Sequence, residues 1–292
     1  MKKFLLIFAI FFSFPIFSAG AGCGTLLSDD GLQEGVCEHV EIDANNKASL
    51  QRGAKLYMNY CFACHSLKYG RYKRVADDLE IPYDIFEKNL MFGEAKIGDL
   101  MEISMQEKDS KAWFGAPPPD LTLEVSLHGA DWVYSYLKSF YTDEARPLGV
   151  NNKVYENVGM PNVLLDLQGE QRSVCKQVPM YAENGGLKQD PLTGEILTQE
   201  KCGFLEVVPG TGLLSPEEFD QSMVDLTNFL AYMSDPIKEK REYIGKYVIL
   251  YLLILLVLSY LLYREFKKDS PKLCKRYRFS LLRNRAFKLR KR

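Results

Sequence analysis

Apolar residues recur at helical spacing in two stretches of this chain. Between about Ser49 and Cys61, the residues Leu50, Ala54, Tyr57 and Cys61 fall at steps of four, three and four, one stripe of an amphipathic helix. The second stripe is Phe219, Met223, Leu226, Leu230 and Met233. Ser215 is its N-cap, Pro216 takes the first helical position, Glu218 follows three residues after the cap, and Pro236 closes the helix. Its methionines lie on the core stripe, where packing explains them. Shorter helices are predicted over Asp131–Tyr141 and within Pro82–Met91. Between Asp166 and Gly212 the helical period is lost. Gly185-Gly186 and Pro191-Leu192-Thr193-Gly194 are turn signals there, and the stretch reads as a hairpin or loop insertion.

Two further stretches are apolar without a period. Phe4 to Phe17 follows Lys2 and Lys3, is broken only by Ser13 and Pro15, and leads to Ala19-Gly20-Ala21, the layout of a secretory signal. It is short against the roughly 20 residues that a spanning helix needs, so cleavage near Gly22 is expected. Cys23 offers a lipid-anchor alternative, although Gly20, Ala21 and Gly22 lack the large aliphatic residue usual before such a site. Tyr247 to Tyr263 carries no charge and extends through Gly245 and Ile244 to a length that crosses a bilayer, with tyrosines 243, 247, 260 and 263 at its ends. The plan is a signal peptide over 1–21, an exported domain over 22–242, a transmembrane helix over 243–263 and a tail over 264–292. The expected fold class is mainly α with long ordered loops and no internal repeat.

Charge changes this picture by giving it a direction. The chain's formal net charge of −1 conceals a tail with 13 basic residues against two acids, while residues 1–263 hold 24 basic and 36 acidic residues, a balance of −12. Excess positive charge beside a span marks the cytoplasmic side. The body then lies in the periplasm as an acidic domain that attracts basic partners, with membrane lipid around its anchor and no nucleic acid expected. An oxidising compartment also changes the meaning of seven cysteines. Setting aside Cys61, Cys64 and the distant Cys274, the remaining Cys23, Cys37, Cys175 and Cys202 invite pairing. Proximity favours Cys23 with Cys37 and Cys175 with Cys202, but three connectivities stay open.

The chemistry concentrates at Cys61-Phe62-Ala63-Cys64-His65, the spacing of c-type heme attachment. Two thiols three residues apart reach the two heme vinyl groups, and the following histidine faces the iron. A thioredoxin-like switch would need a helix beginning at the first cysteine, whereas here the helix precedes it. A structural zinc site would need a second pair of ligands at short spacing. For the other face of the iron, Met160 in NVGMPNVL stands between Gly159 and Pro161. Met180 and the methionines between positions 91 and 105 compete with it. His39 and His128 are the histidine alternatives, and His128 reads rather as a capping or surface residue. Trp113-Phe114-Gly115-Ala116-Pro117-Pro118-Pro119-Asp120 is a stiff aromatic and proline segment suited to a wall against a flat apolar ring.

Taken in order, CFACH, WFGAPPPDL, RPLGVNN at Arg146–Asn152, NVGMPNVL, the capped helix, the single span and the basic tail resemble cytochrome c1 of proteobacteria. This is the heme subunit of the ubiquinol:cytochrome c oxidoreductase, the bc1 complex. The resemblance implies a cytochrome c-like domain with one covalent heme c, thioethers at Cys61 and Cys64, His65 and Met160 on the iron, and Pro118 and Pro119 along the heme. It also implies electron transfer from a Rieske iron–sulfur subunit to a cytochrome c, beside a cytochrome b subunit, with quinol oxidation belonging to those neighbours. The arginine that family members often carry before the proline-rich segment has no evident counterpart, since GEAKIGD offers only Lys96. A membrane-anchored c-type cytochrome feeding a terminal oxidase would share the heme motif, and a heme-free thiol oxidoreductase would share only the cysteines.

Overall fold

The computed structural model describes residues 22–27, 35–182 and 185–289; the expected signal segment lies outside the described residues. In chain order come α1 (Lys47–Leu56), a π turn (Tyr57–Cys61), β1 (Leu67–Arg71), α2 (Tyr72–Asp78) and α3 (Tyr83–Leu90). Then follow β2 (Leu100–Met101), α4 (Glu107–Phe114), α5 (Glu124–His128), α6 (Ala130–Lys138), β3 (Phe140–Thr142) and β4 (Val150–Asn152). The remainder is α7 (Leu165–Gln168), β5 (Gln171–Pro179), β6 (Thr198–Val207), α8 (Pro216–Ser234) and α9 (Lys238–Leu289). The chain divides into two units, Met1–Asp235 and Pro236–Arg292.

The first unit is organised around α1 packed on α8. Asn46 caps α1 by accepting from the Ser49 amide at 3.1 Å, and Ser215 with Glu218 forms the expected capping box on α8. The apolar stripes meet: Leu50, Ala54, Tyr57, Met223, Leu226 and Phe229 are all buried in one core. The crossing is close because residue 53 is glycine. A Cβ there would lie 2.1 Å from the Asp225 carbonyl oxygen and 2.7 Å from Phe229 Cβ. A charge sits inside this contact. The buried Asp225 carboxylate accepts from Arg52 Nε at 2.6 Å, Arg52 Nη2 at 2.9 Å and Ser49 Oγ at 2.7 Å, so its ionised oxygens are satisfied.

A mainly α fold is only partly borne out, for six strands accompany the helices among the described residues. All three sheets among the described residues are two-stranded and antiparallel. Most of the strand content is the β5–β6 hairpin, paired from Gln171–Val207 to Pro179–Thr198, where the loss of helical period announced an insertion. Cys175 and Cys202 lie opposite each other in its register and form a disulfide. Cys23 and Cys37 form the other, as proximity favoured, and so Cys23 has no thiol left for a lipid. The predicted helix over Asp131–Tyr141 stops at Lys138, because Phe140 and Tyr141 pair with Asn152 and Asn151 as strands.

The second unit is one helix, α9. Within its stretch Lys240–Lys268 the most apolar window has a mean hydropathy of 2.2, and none of that window is buried. In water such a surface would be unfavourable, so the helix is long and apolar enough to cross a membrane.

Candidate functional site

The site is built at the C-terminal end of α1. The helix widens there, with the Phe62 amide bonding the Tyr57 carbonyl five residues back at 3.0 Å. A π turn of this kind takes one extra residue into the coil and recurs at functional positions. The Cys64 and His65 amides then both bond the Cys61 carbonyl, at 3.1 and 2.9 Å, folding the motif into a tight turn. Cys61 is buried and Cys64 partly exposed, and both are free thiols. Burial pushes the Cys61 thiol up to about 12, with Cys64 adding to the shift, and burial raises Cys64 as well. Both thiols are therefore protonated. A dithiol switch needs the opposite, a thiolate stabilised at a helix N-terminus, whereas these cysteines stand at the negative end of the helix dipole. Among the described residues no cluster of His, Cys, Asp and Glu completes a four-ligand metal site.

His65 is aimed by its backbone neighbours. Its Nδ1–H donates to the Pro119 carbonyl at 2.7 Å, which leaves Nε2 as the lone-pair nitrogen. Burial lowers its pKa, against the opposing pull of the Pro119 carbonyl and Asp120, so the imidazole is neutral as an iron ligand must be. The buried Tyr57 hydroxyl donates to the His65 carbonyl and locks the turn from below. Pro119 itself is held in place: the Leu121 amide bonds the Ser66 carbonyl at 3.0 Å, and Asp120 accepts from the Lys68 amide at 2.8 Å and the Thr122 amide at 3.1 Å. Pro118 is half-buried and Pro119 exposed, so what Pro119 contributes here is its carbonyl oxygen rather than its ring.

Met160 reaches the same neighbourhood on a loop. A Cβ on Gly159 would lie 3.1 Å from the Phe114 carbonyl, so the chain before Met160 runs against the end of α4. Two asparagines hold this loop. Asn152 Oδ1 accepts from the Val154 amide at 2.9 Å and the Tyr155 amide at 3.1 Å, while its Nδ2 donates to the Tyr136 carbonyl at 2.8 Å. Asn151 Oδ1 accepts from the Asn157 amide at 2.9 Å, and Arg146 Nη1 donates to Asn157 Oδ1 at 2.9 Å. The Met160 sulfur accepts from the Tyr136 hydroxyl at 3.4 Å. Contacts thus run from His65 to Pro119, along the proline segment to Phe114, across to Gly159, and from Met160 to Tyr136. Two of the competing methionines are placed by the strands. Met101 is fully buried in β2, and Met180 follows β5, its amide bonded to the Leu197 carbonyl. His39 pairs with Asp131 at 3.1 Å, and His128 pairs with Glu124 at 3.2 Å and stacks on Trp132.

Sequence reasoning missed Tyr136 and the Pro119 carbonyl. The first had a signal, since His128, Trp132, Tyr136 and Phe140 recur every four residues. The second acts through its backbone and leaves no side-chain trace.

Two free, protonated thiols, a neutral imidazole with Nε2 unclaimed and a thioether on a held loop are the donors that a c-type cytochrome requires. Comparison with known proteins narrows the class. The sequence model of the Cytochrome C1 family matches residues 39–172 and 214–270. Cytochrome c1 of Allochromatium vinosum is 48% identical over 241 residues, 82% of this chain and 92% of that protein. A Nitrosomonas europaea protein named ammonia monooxygenase gamma subunit is 34% identical over 269 residues, 92% of this chain and 98% of its own. A cytochrome c1 of Rhodobacter capsulatus is 24% identical over 248 residues, 74% of this chain and 81% of that protein. The chain belongs to the cytochrome c1 family, whose members carry covalently bound heme c and transfer electrons in bc1-type complexes with cytochrome b. The family match skips residues 173–213, which is nearly the whole β5–β6 hairpin.

Proposed function

We propose that Cys61 and Cys64 bind the heme, each thiol adding its S–H across one vinyl group, with His65 Nε2 and Met160 Sδ as the two axial ligands. The observation that carries this reading is the His65 Nδ1 bond to Pro119, which leaves Nε2 available beside two unpaired thiols in a domain whose Cys23, Cys37, Cys175 and Cys202 are paired. When bound, the heme supplies a one-electron Fe(III)/Fe(II) couple. The chain's own groups orient and enclose it. Pro119 fixes the imidazole plane, Asn151 and Asn152 hold the Met160 loop, and Pro118 with its neighbours forms a wall. A thioether ligand adds no charge and favours a high potential, which suits a late electron carrier.

In this reading the domain over 22–242 is periplasmic after removal of 1–21, the helix over 243–263 spans the inner membrane, and the tail over 264–292 is cytoplasmic. The domain receives an electron from a Rieske iron–sulfur subunit and passes it to a cytochrome c. The acidic balance of residues 1–263 would steer a basic acceptor, an attraction that weakens as salt rises.

Three experiments test this. A pyridine hemochrome spectrum of the membrane protein should show heme held through two thioethers, and His65→Ala should abolish the low-spin spectrum of the native protein in the absence of pyridine. Met160→Leu should remove the sulfur-to-iron charge-transfer band and lower the potential; an unchanged band would move the ligand elsewhere. Purified in mild detergent, the chain should bring cytochrome b and a Rieske protein with it. Copurification with a terminal oxidase alone would overturn the assignment of partners.

A further inference from the structure

Tyr136 has a role that neither attachment nor ligation assigns. Its hydroxyl donates to the Met160 sulfur at 3.4 Å, and its ring is fixed on both sides. Trp132 stacks on it with centroids 5.2 Å apart and planes 8° apart, His128 stacks on Trp132 at 4.3 Å, and Phe140 meets its edge at 5.2 Å. The spacing of these four residues lines them up along α5, α6 and the start of β3. A ring so held can pivot little, and the hydroxyl points where the stack directs it. A phenolic O–H is a donor, so the contact runs from hydroxyl to sulfur.

A thioether sulfur carries two lone pairs, of which a metal takes one. We propose that Tyr136 is a positioning residue for Met160: its hydroxyl takes the second lone pair, orients the sulfur and withdraws electron density from it. This rests on Met160 being the axial ligand. Two consequences have definite signs. The positive end of the O–H dipole faces the sulfur and disfavours the oxidised iron, which carries one more positive charge. The bond therefore raises the potential. By competing for sulfur electrons, it also weakens the iron–sulfur bond in the oxidised state.

Tyr136→Phe keeps the ring and its stack while removing the donor. In the heme-loaded full chain, the potential should fall by the equivalent of about a two- to tenfold change in the reduction equilibrium, the scale of one hydrogen bond. Added imidazole should displace Met160 from the oxidised protein several-fold less readily than in the parent. A merely structural role predicts the reverse, because a loosened pocket lets imidazole in more easily. An unchanged potential, or easier displacement by imidazole, overturns the proposal. If Y136F takes up no heme, the unaltered protein still decides the matter. Exchange into D2O should shift the sulfur-to-iron band only if an exchangeable proton bonds the sulfur, and an unshifted band overturns the proposal. Absence of that band in the parent protein would instead remove Met160 as ligand, a separate failure.

Discussion

The α1–α8 pair and the β5–β6 hairpin solve the problem of staying folded in opposite ways. The helix pair relies on side chains: a close crossing at Gly53, a shared apolar core and a buried carboxylate with every oxygen engaged. The hairpin relies on its own backbone ladder and the Cys175–Cys202 bond, and of its side chains only Gln171, Val178 and Phe204 are buried among the paired strands. The family match covers the first region and passes over the second. The region built on a shared side-chain core carries the cofactor motif at its end. The hairpin meets that core chiefly at its base, where the Gln171 side-chain amide donates to the Lys138 and Phe140 carbonyls at 2.9 and 2.7 Å.

The sharpest way to break this contrast is Gly53→Leu. The new side chain would run into the α8 backbone, so the variant should fail to fold or lose several kcal/mol, about 3 or more, with loss of heme. Heme yield and thermal unfolding measure it. A variant of near-parent stability would show that the crossing is not tight. Next comes Asp225→Ala, which strips Arg52 and Ser49 of their partner inside the interface. With half of Arg52 exposed, the cost should be about 2–3 kcal/mol by denaturant titration.

A smaller global effect is expected at the hairpin. Replacing Cys175 and Cys202 by serine removes a constraint nominally of about 3 kcal/mol, but the opening should stay local. Amide exchange should rise over 171–207 while the heme spectrum and potential stay at parent values; a changed potential would tie the hairpin to the site. The smallest effect is at His39. Its hydrogen bond and charge attraction to Asp131 raise its pKa above the ordinary 6.5, so the pair adds stability that is complete below about that pH. That contribution is lost as pH rises through the raised folded value. His39→Asn should flatten this shallow dependence, as seen in midpoint temperatures across pH 5 to 9, on the order of a degree.

Much of this molecule is legible in its residues. The capping box at Ser215, the uncharged run from Tyr247 to Tyr263, the turn signals of the hairpin and the CFACH spacing each have a local physical cause, and local causes survive into the fold. The π turn does not announce itself, for Leu50, Ala54, Tyr57 and Cys61 read as one regular helix. Its extra residue answers to what packs around Tyr57 and Phe62. Asp225 was hidden because an acid within an apolar stripe looks like a surface position until Arg52 and Ser49 arrive from another helix. Tyr136 and Trp132 were visible as helix residues, but their direction toward Met160 depends on a loop that folds back from Asn151 and Asn152.

The burial of Cys61 sets an order of events. Only 5% of that residue is open to solvent in the folded chain, and its thiol is protonated and unreactive there. On the ligation proposed here, a heme vinyl group would have to meet this sulfur before the core closes over it. The same interval exposes Cys61 and Cys64 to the oxidants that join Cys23 to Cys37. Biogenesis is then a race between the cofactor and a wrong disulfide.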